Sequence, residues 1–206
     1  MKRVCRHPDI KFRADHTKTL IYAQSRTSQK LKHLHSLYVS TYGLLFLGTP
    51  HNGTRKANLA SAFQHMIKAA APSKLISTEG GLLDALQENS EILQNINDMF
   101  APLMRDFHIH FFWEEEKTDL GFAKDYVVSD ISAAPILDDT GRAGLPYNHV
   151  DMVKFEGRDA PGYTLVVATL MRYSEQAQTT IVRRWALSQE VLRSKRENEV
   201  AELLRG

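Results

Sequence analysis

Between Tyr42 and Leu47 the chain reads Tyr-Gly-Leu-Leu-Phe-Leu, with no charged residue, and then breaks at Gly48-Thr49-Pro50. A continuously apolar run of this length, stopped by glycine and proline, predicts a strand buried on both faces. Such strands belong to parallel sheets, which need helices on both faces. The rest of the sequence is therefore expected to supply further strands and the helices that cover them.

The helices are readable from spacing. Leu20, Ile21 and Ala23 predict a short helix over Thr17–Ser28. Leu59, Phe63, Met66, Ile67 and Ala70 predict a second, which Pro72 ends. A third is expected from about Gly81 to Met104, with Leu82, Leu86, Leu93 and Leu103 on a broad apolar face. From Pro161 the chain is expected to be helical almost to its end, buried around Leu165, Val166 and Leu170, then increasingly charged. Two more strands are expected, at His108–Trp113 and at Tyr126–Val128, with the Pro- and Gly-containing stretch Ser129–Tyr147 as an irregular loop. Strands alternating with helices predict an α/β fold. Three strands are few for a parallel sheet, so the domain reads as one side of something larger, with an apolar edge open to a partner.

Charge excludes little but narrows the field. There are 26 basic and 24 acidic residues, a net charge of +2, although Met1 to His35 carries nine Lys or Arg against two Asp. No nucleic-acid motif accompanies that basic segment, and no nucleic-acid partner is expected. The single cysteine, Cys5, rules out an internal disulfide and reads as an ordinary free thiol. No apolar run approaches the ~20 residues of a membrane span, and no signal-peptide core follows the basic start, so secretion is not expected.

In open α/β sheets, ligands bind beyond the carboxyl ends of strands. Three chemistry-bearing loops fall there: Gly48 to Thr54, Glu114 to Gly121, and the stretch ending Tyr147-Asn148-His149. A carboxylate after one strand and a histidine after a later one is the order in which such folds supply an acid and a general base.

Four segments taken together, "HLHSLYVSTYGLLFLGTPHNGT", "FFWEEEKT", "YVVSDISAAP" and "YNHVDMVKFEG", resemble the carboxyl-terminal half of the lipase-like α/β-hydrolases of the serine active site containing protein family. This is a serine esterase group common in multidomain fungal proteins. The resemblance covers about Thr19 to Thr164. It implies a partial α/β-hydrolase fold: residues 1–18 as a divergent basic segment, 19–172 as the hydrolase half, and 173–206 as a charged helical extension. It implies His149 as the general base and Glu114 as the acid, with Glu115, Glu116, Asp125 and Asp130 as competing carboxylates. His51 is expected to organise its loop, and Asp151 and Lys154 to cap or orient the last helix. The implied substrate is a lipid-like or other acyl ester, without metal or organic cofactor. The implied setting is intracellular, cytoplasmic or associated with the mitochondrion or endoplasmic reticulum.

One element of the pattern is missing. The family's serine lies in a Gly-His-Ser-Leu-Gly-Gly segment directly before the helix that here reads "TLIYAQSRTS". The residues in that place are "MKRVCRHPDIKFRADHTK", and the first glycine in the chain is Gly43. Glycines must flank such a serine because the chain crowds itself at the turn. No Gly-x-Ser-x-Gly occurs elsewhere, so Ser25 and Ser28 read as helix-end serines. The polypeptide is expected to be inactive alone: either a truncated piece of a serine hydrolase or a non-catalytic interaction module derived from one.

Overall fold

The computed structural model describes residues 10–25, 32–51, 98–120 and 123–205. The helix expected over Leu59–Ala70, most of the one expected over Gly81–Met104, and Cys5 and Ser28 lie outside the described residues. Helices α1 (Ile10–Gln24) and α2 (Lys32–Ser40) precede strand β1 (Gly43–Leu47). A helical segment at 98–104 leads into β2 (His108–Glu114). The chain then forms β3 (Thr118–Asp119), β4 (Lys124–Asp125), the short helix α3 (Asp130–Ala133), β5 (Thr140–Leu145) and the long helix α4 (Pro161–Leu203).

The main sheet has the order β1-β2-β5, parallel throughout, while β3 and β4 pair antiparallel as a separate two-stranded ribbon. Alternation along the central strand sorts the core into two layers. Ile109 and Phe111 face α1 and the 98–104 helix, packing with Leu20, Phe100, Leu103 and Phe107. On the other face Phe112 packs with Leu145 and Met152, against Leu45, Leu47 and Val166 of α4. The result is a small parallel three-stranded sheet flanked by helices, with a long C-terminal helix.

Three expectations change. Tyr126–Val128 is not a strand; the third strand is β5, inside the stretch expected to be loop. Its sequence, Thr-Gly-Arg-Ala-Gly-Leu, lacks an apolar alternation because its neighbours fill the space side chains would take. A Cβ at Gly141 would run into the His110 ring, and one at Gly144 into the Glu115 side chain. The first helix starts upstream of Thr17 and ends at Gln24. Finally, every residue of β1 is only half-buried. Among the described residues β1 is an edge strand, whereas β2 in the middle is buried almost throughout.

Helix α4 is fastened to the sheet at several levels. Near its start Gly162 lies under the Tyr147 ring, where a side chain would collide. Further along, the Tyr42 hydroxyl donates to Gln176 Oε1 at 3.1 Å. Arg184 donates to the carbonyls of Thr41 and Asp106, the residues leading into β1 and β2, and its guanidinium lies over the Phe107 ring. Asp106 also accepts from the Tyr38 hydroxyl at 2.7 Å. Burial, then that hydrogen bond, pushes the Tyr38 phenol up to about 12. The helix runs unbroken through residues 172 and 173, and Ser188 still meets His35 of α2 at 2.8 Å. From Arg193 on, its residues are exposed.

His110 sits under α4 with its Nδ1 3.5 Å from the Arg172 guanidinium and its Nε2 buried without a hydrogen-bond partner. Burial, and secondarily the Arg172 charge, lowers its pKa below 6.5. Below that value the unfolded chain binds a proton that the folded chain resists, so stability falls with falling pH. This contribution is complete above 6.5 and is lost as pH drops from 6.5 towards the depressed folded value. Melting temperatures of His110→Gln, followed from about pH 8 to about pH 5, are expected to fall less steeply than those of the parent protein. Parallel curves would remove His110 from the acid response.

Candidate active site

The carboxyl ends of all three sheet strands converge. Glu114 closes β2, Gly48 follows β1, and His149 lies just beyond β5. The parallel register aligns Leu47 with Phe112 and Glu114 with Leu145. Residues far apart in sequence thus meet at one rim.

Of the three consecutive glutamates, the structure buries Glu114 and leaves Glu115 and Glu116 in solvent. Glu114 continues the inward alternation of Phe112, and β2 ends there. Its side chain is 0% exposed, and its Oε1 stands 3.6 Å from Nδ1 of His149, which is 12% exposed. This is ion-pair distance, longer than a formed hydrogen bond; such contacts commonly tighten only when substrate is bound. A buried carboxylate needs donors. Glu114 Oε1 accepts the Val128 backbone N–H at 2.6 Å, and Oε2 accepts the Thr118 hydroxyl at 3.5 Å.

The competing carboxylates go elsewhere. Asp125 is exposed, accepts its neighbour's N–H from Tyr126, and pairs with Lys117 at 3.8 Å. Asp130 opens α3 and is exposed. Ser25, also exposed, donates to the Tyr22 carbonyl, a helix-end contact.

His149 is presented by a tight turn that Asn148 builds. The Asn148 side-chain oxygen accepts the N–H groups of Val150 and Asp151 at 2.9 and 3.1 Å, and its amide donates to Asp151 at 2.8 Å. Asp151 also pairs with Lys154. The expectation that Asp151 and Lys154 cap the last helix is thereby corrected. They brace the histidine's own turn, while α4 begins at Pro161 behind an Ala160 N-cap that makes no side-chain capping bond. Asparagine suits this place because its short amide mimics a backbone turn.

Gly48 gives the opening apolar strand its part in the site. It has φ +57°, in the left-handed region, and a Cβ there would lie 3.0 Å from both Nδ1 and Cε1 of His149 and 2.7 Å from Met152 Sδ. The imidazole rests on this bare backbone. Gly48→Ala is therefore expected to cost about 1–2 kcal/mol from backbone conformation alone and to push the ring off Glu114. Denaturant titration would check the first effect, and loss of the His149–Glu114 contact in a structure of the variant the second.

His51 is held through its main chain, while the rest of the loop it is expected to organise lies outside the described residues. Its N–H donates to the Ser132 carbonyl at 2.7 Å, tying the β1 exit to α3. Its ring is wedged edge-on between Phe46 and Phe111 at 4.4 and 4.8 Å.

Sequence reading missed Thr118, Asn148 and the Val128 N–H. Thr118 gave no signal beyond being a polar residue four places after Glu114. Among the described residues, no group of three or more His, Cys, Asp or Glu is placed to hold a metal ion, and no helix is long and apolar enough to cross a membrane. Compared with protein-family models, curated proteins and solved structures, the chain matches none.

Proposed function

We propose that the chain is the acid–base half of an α/β-hydrolase-type serine esterase, acting on lipid-like or other acyl esters. Glu114 is the acid, His149 the base, and the nucleophile strand comes from outside these 206 residues. The observation that carries this reading is the buried Glu114–His149 pair at the carboxyl rim of a parallel sheet. A carboxylate on Nδ1 holds a histidine in the tautomer whose Nε2 can take a proton, and it stabilises the imidazolium that results. The serine hydroxyl would lose its proton to Nε2 while its oxygen bonds the acyl carbon. The same proton then leaves with the departing alcohol, and water releases the acid by the reverse steps.

The geometry at Gly48 supports a place for the missing strand beside β1. Among the described residues β1 is one of the two edge strands, with β5 the other; the residues of β1 are half-buried, and its carboxyl end at Gly48 touches His149. A parallel strand added beside β1 would bring its exit turn to the base. The resemblance to lipase-like hydrolases in the segments around Gly48, Glu114 and His149 supports the same arrangement.

The test is labelling with a fluorophosphonate, which reacts with activated serines. The chain alone is expected to stay unlabelled. The chain joined to an upstream strand carrying Gly-x-Ser-x-Gly is expected to label, and His149→Ala to abolish it. A folded, strand-completed protein that does not label would overturn the proposal. The absence of Gly-x-Ser-x-Gly from the sequence favours the second reading, a non-catalytic interaction module, and that outcome would leave it standing.

A further inference from the structure

We propose that Thr118 is a positioning residue that locks the acid to the base through one hydroxyl. The inference rests on the reading of Glu114 and His149 as an acid–base pair. Thr118 is 4% exposed and lies between the two partners. Its Oγ1 is 3.5 Å from Glu114 Oε2 and 3.1 Å from the backbone nitrogen of His149.

The direction of both bonds is fixed by chemistry. An ionised carboxylate only accepts and a backbone N–H only donates, so the single hydroxyl proton points to Glu114 and the oxygen lone pair faces His149. Val128 N–H holds Oε1 at 2.6 Å, the Thr118 hydroxyl faces Oε2 at 3.5 Å, and Oε1 is turned towards Nδ1. The same hydroxyl anchors the main chain of His149, which sets where the ring begins. Thr118 is itself held by the β3–β4 ribbon, opposite Asp125. The segment between the acid and β3 therefore works as a brace across the site. Valine at 118 would keep the shape and remove both bonds, leaving a buried N–H without an acceptor and a carboxylate oxygen without its side-chain donor.

A merely structural threonine would alter melting but not which imidazole nitrogen carries the proton. The measurement is therefore the tautomer of His149, read by solid-state ¹⁵N NMR on the full chain labelled at histidine, which serves whether or not the protein self-associates. His149→Gln assigns the signal among the nine histidines. The parent protein and Thr118→Ser are expected to hold His149 with the proton on Nδ1, facing Glu114. Thr118→Val is expected to shift the major form to Nε2–H. If Thr118→Val does not fold, Thr118→Cys, whose thiol is a weak donor, carries the same comparison. Either folded variant keeping the parent tautomer would overturn the proposal. Because no nucleophile is needed, this result is independent of labelling. Failure of the strand-completed protein to label would end the esterase reading without moving the tautomer, and an unchanged tautomer would end the role of Thr118 without touching esterase activity.

Discussion

Phe111→Ala is expected to destabilise the protein by about 3–5 kcal/mol, the usual cost of deleting a fully buried phenylalanine. Phe111 is 0% exposed in the middle strand, stacked on Phe46 at 5.6 Å and capped by the His51 ring. Against a typical total stability of about 5–15 kcal/mol, this loss is a large fraction of what holds the chain folded. Phe46→Ala supplies the comparison, since Phe46 packs on the same layer from the edge strand and is only half-buried. Its cost should be about half as large, in proportion to the area removed from water. Guanidinium titration of both variants would read the difference. Equal costs would mean that β1 is covered as fully as β2, and the open edge would have to be abandoned.

That contrast marks where sequence reading succeeded and where it failed. Tyr-Gly-Leu-Leu-Phe-Leu and His-Ile-His-Phe-Phe-Trp announced β1 and β2 because their own side chains make the core, so the pattern is written in the residues that pack. β5 was illegible for the opposite reason. Its two glycines are small because His110 and Glu115, residues of another segment, occupy the space beside them. The requirement is tertiary and leaves only Ala143 and Leu145 as apolar marks. Helix α4 was legible from Pro161, which opens it, but its attachment through Arg184 to two backbone carbonyls was not. Such a bond depends on which loop lies opposite. In the site, the side chains expected to act, Glu114 and His149, do meet. What the sequence hid was their support: Thr118, the Val128 N–H, and the left-handed Gly48 against the ring.

In the strand-completed protein, His149→Ala is expected to lower kcat for a chromogenic acyl ester by about 10⁴-fold or more, with little change in KM. At about 1.4 kcal/mol per factor of ten, this is at least about 5.5 kcal/mol of transition-state stabilisation, the share of a base that acts only once the serine begins to react. Glu114→Gln should fall by about 10⁴, because the amide neither stabilises imidazolium nor enforces the tautomer. The decisive comparison is among carboxylates. Glu114 is buried against Nδ1, while Asp125 and Asp130 are exposed and engaged elsewhere. Asp125→Asn and Asp130→Asn should therefore stay within about twofold of the parent rate, as surface changes away from the reacting atoms do. If either lowered kcat as far as Glu114→Gln, the acid would have been misassigned. If His149→Ala kept a tenth of the activity, the ester would be cleaved without this histidine, and the pair at the strand ends would serve the fold alone.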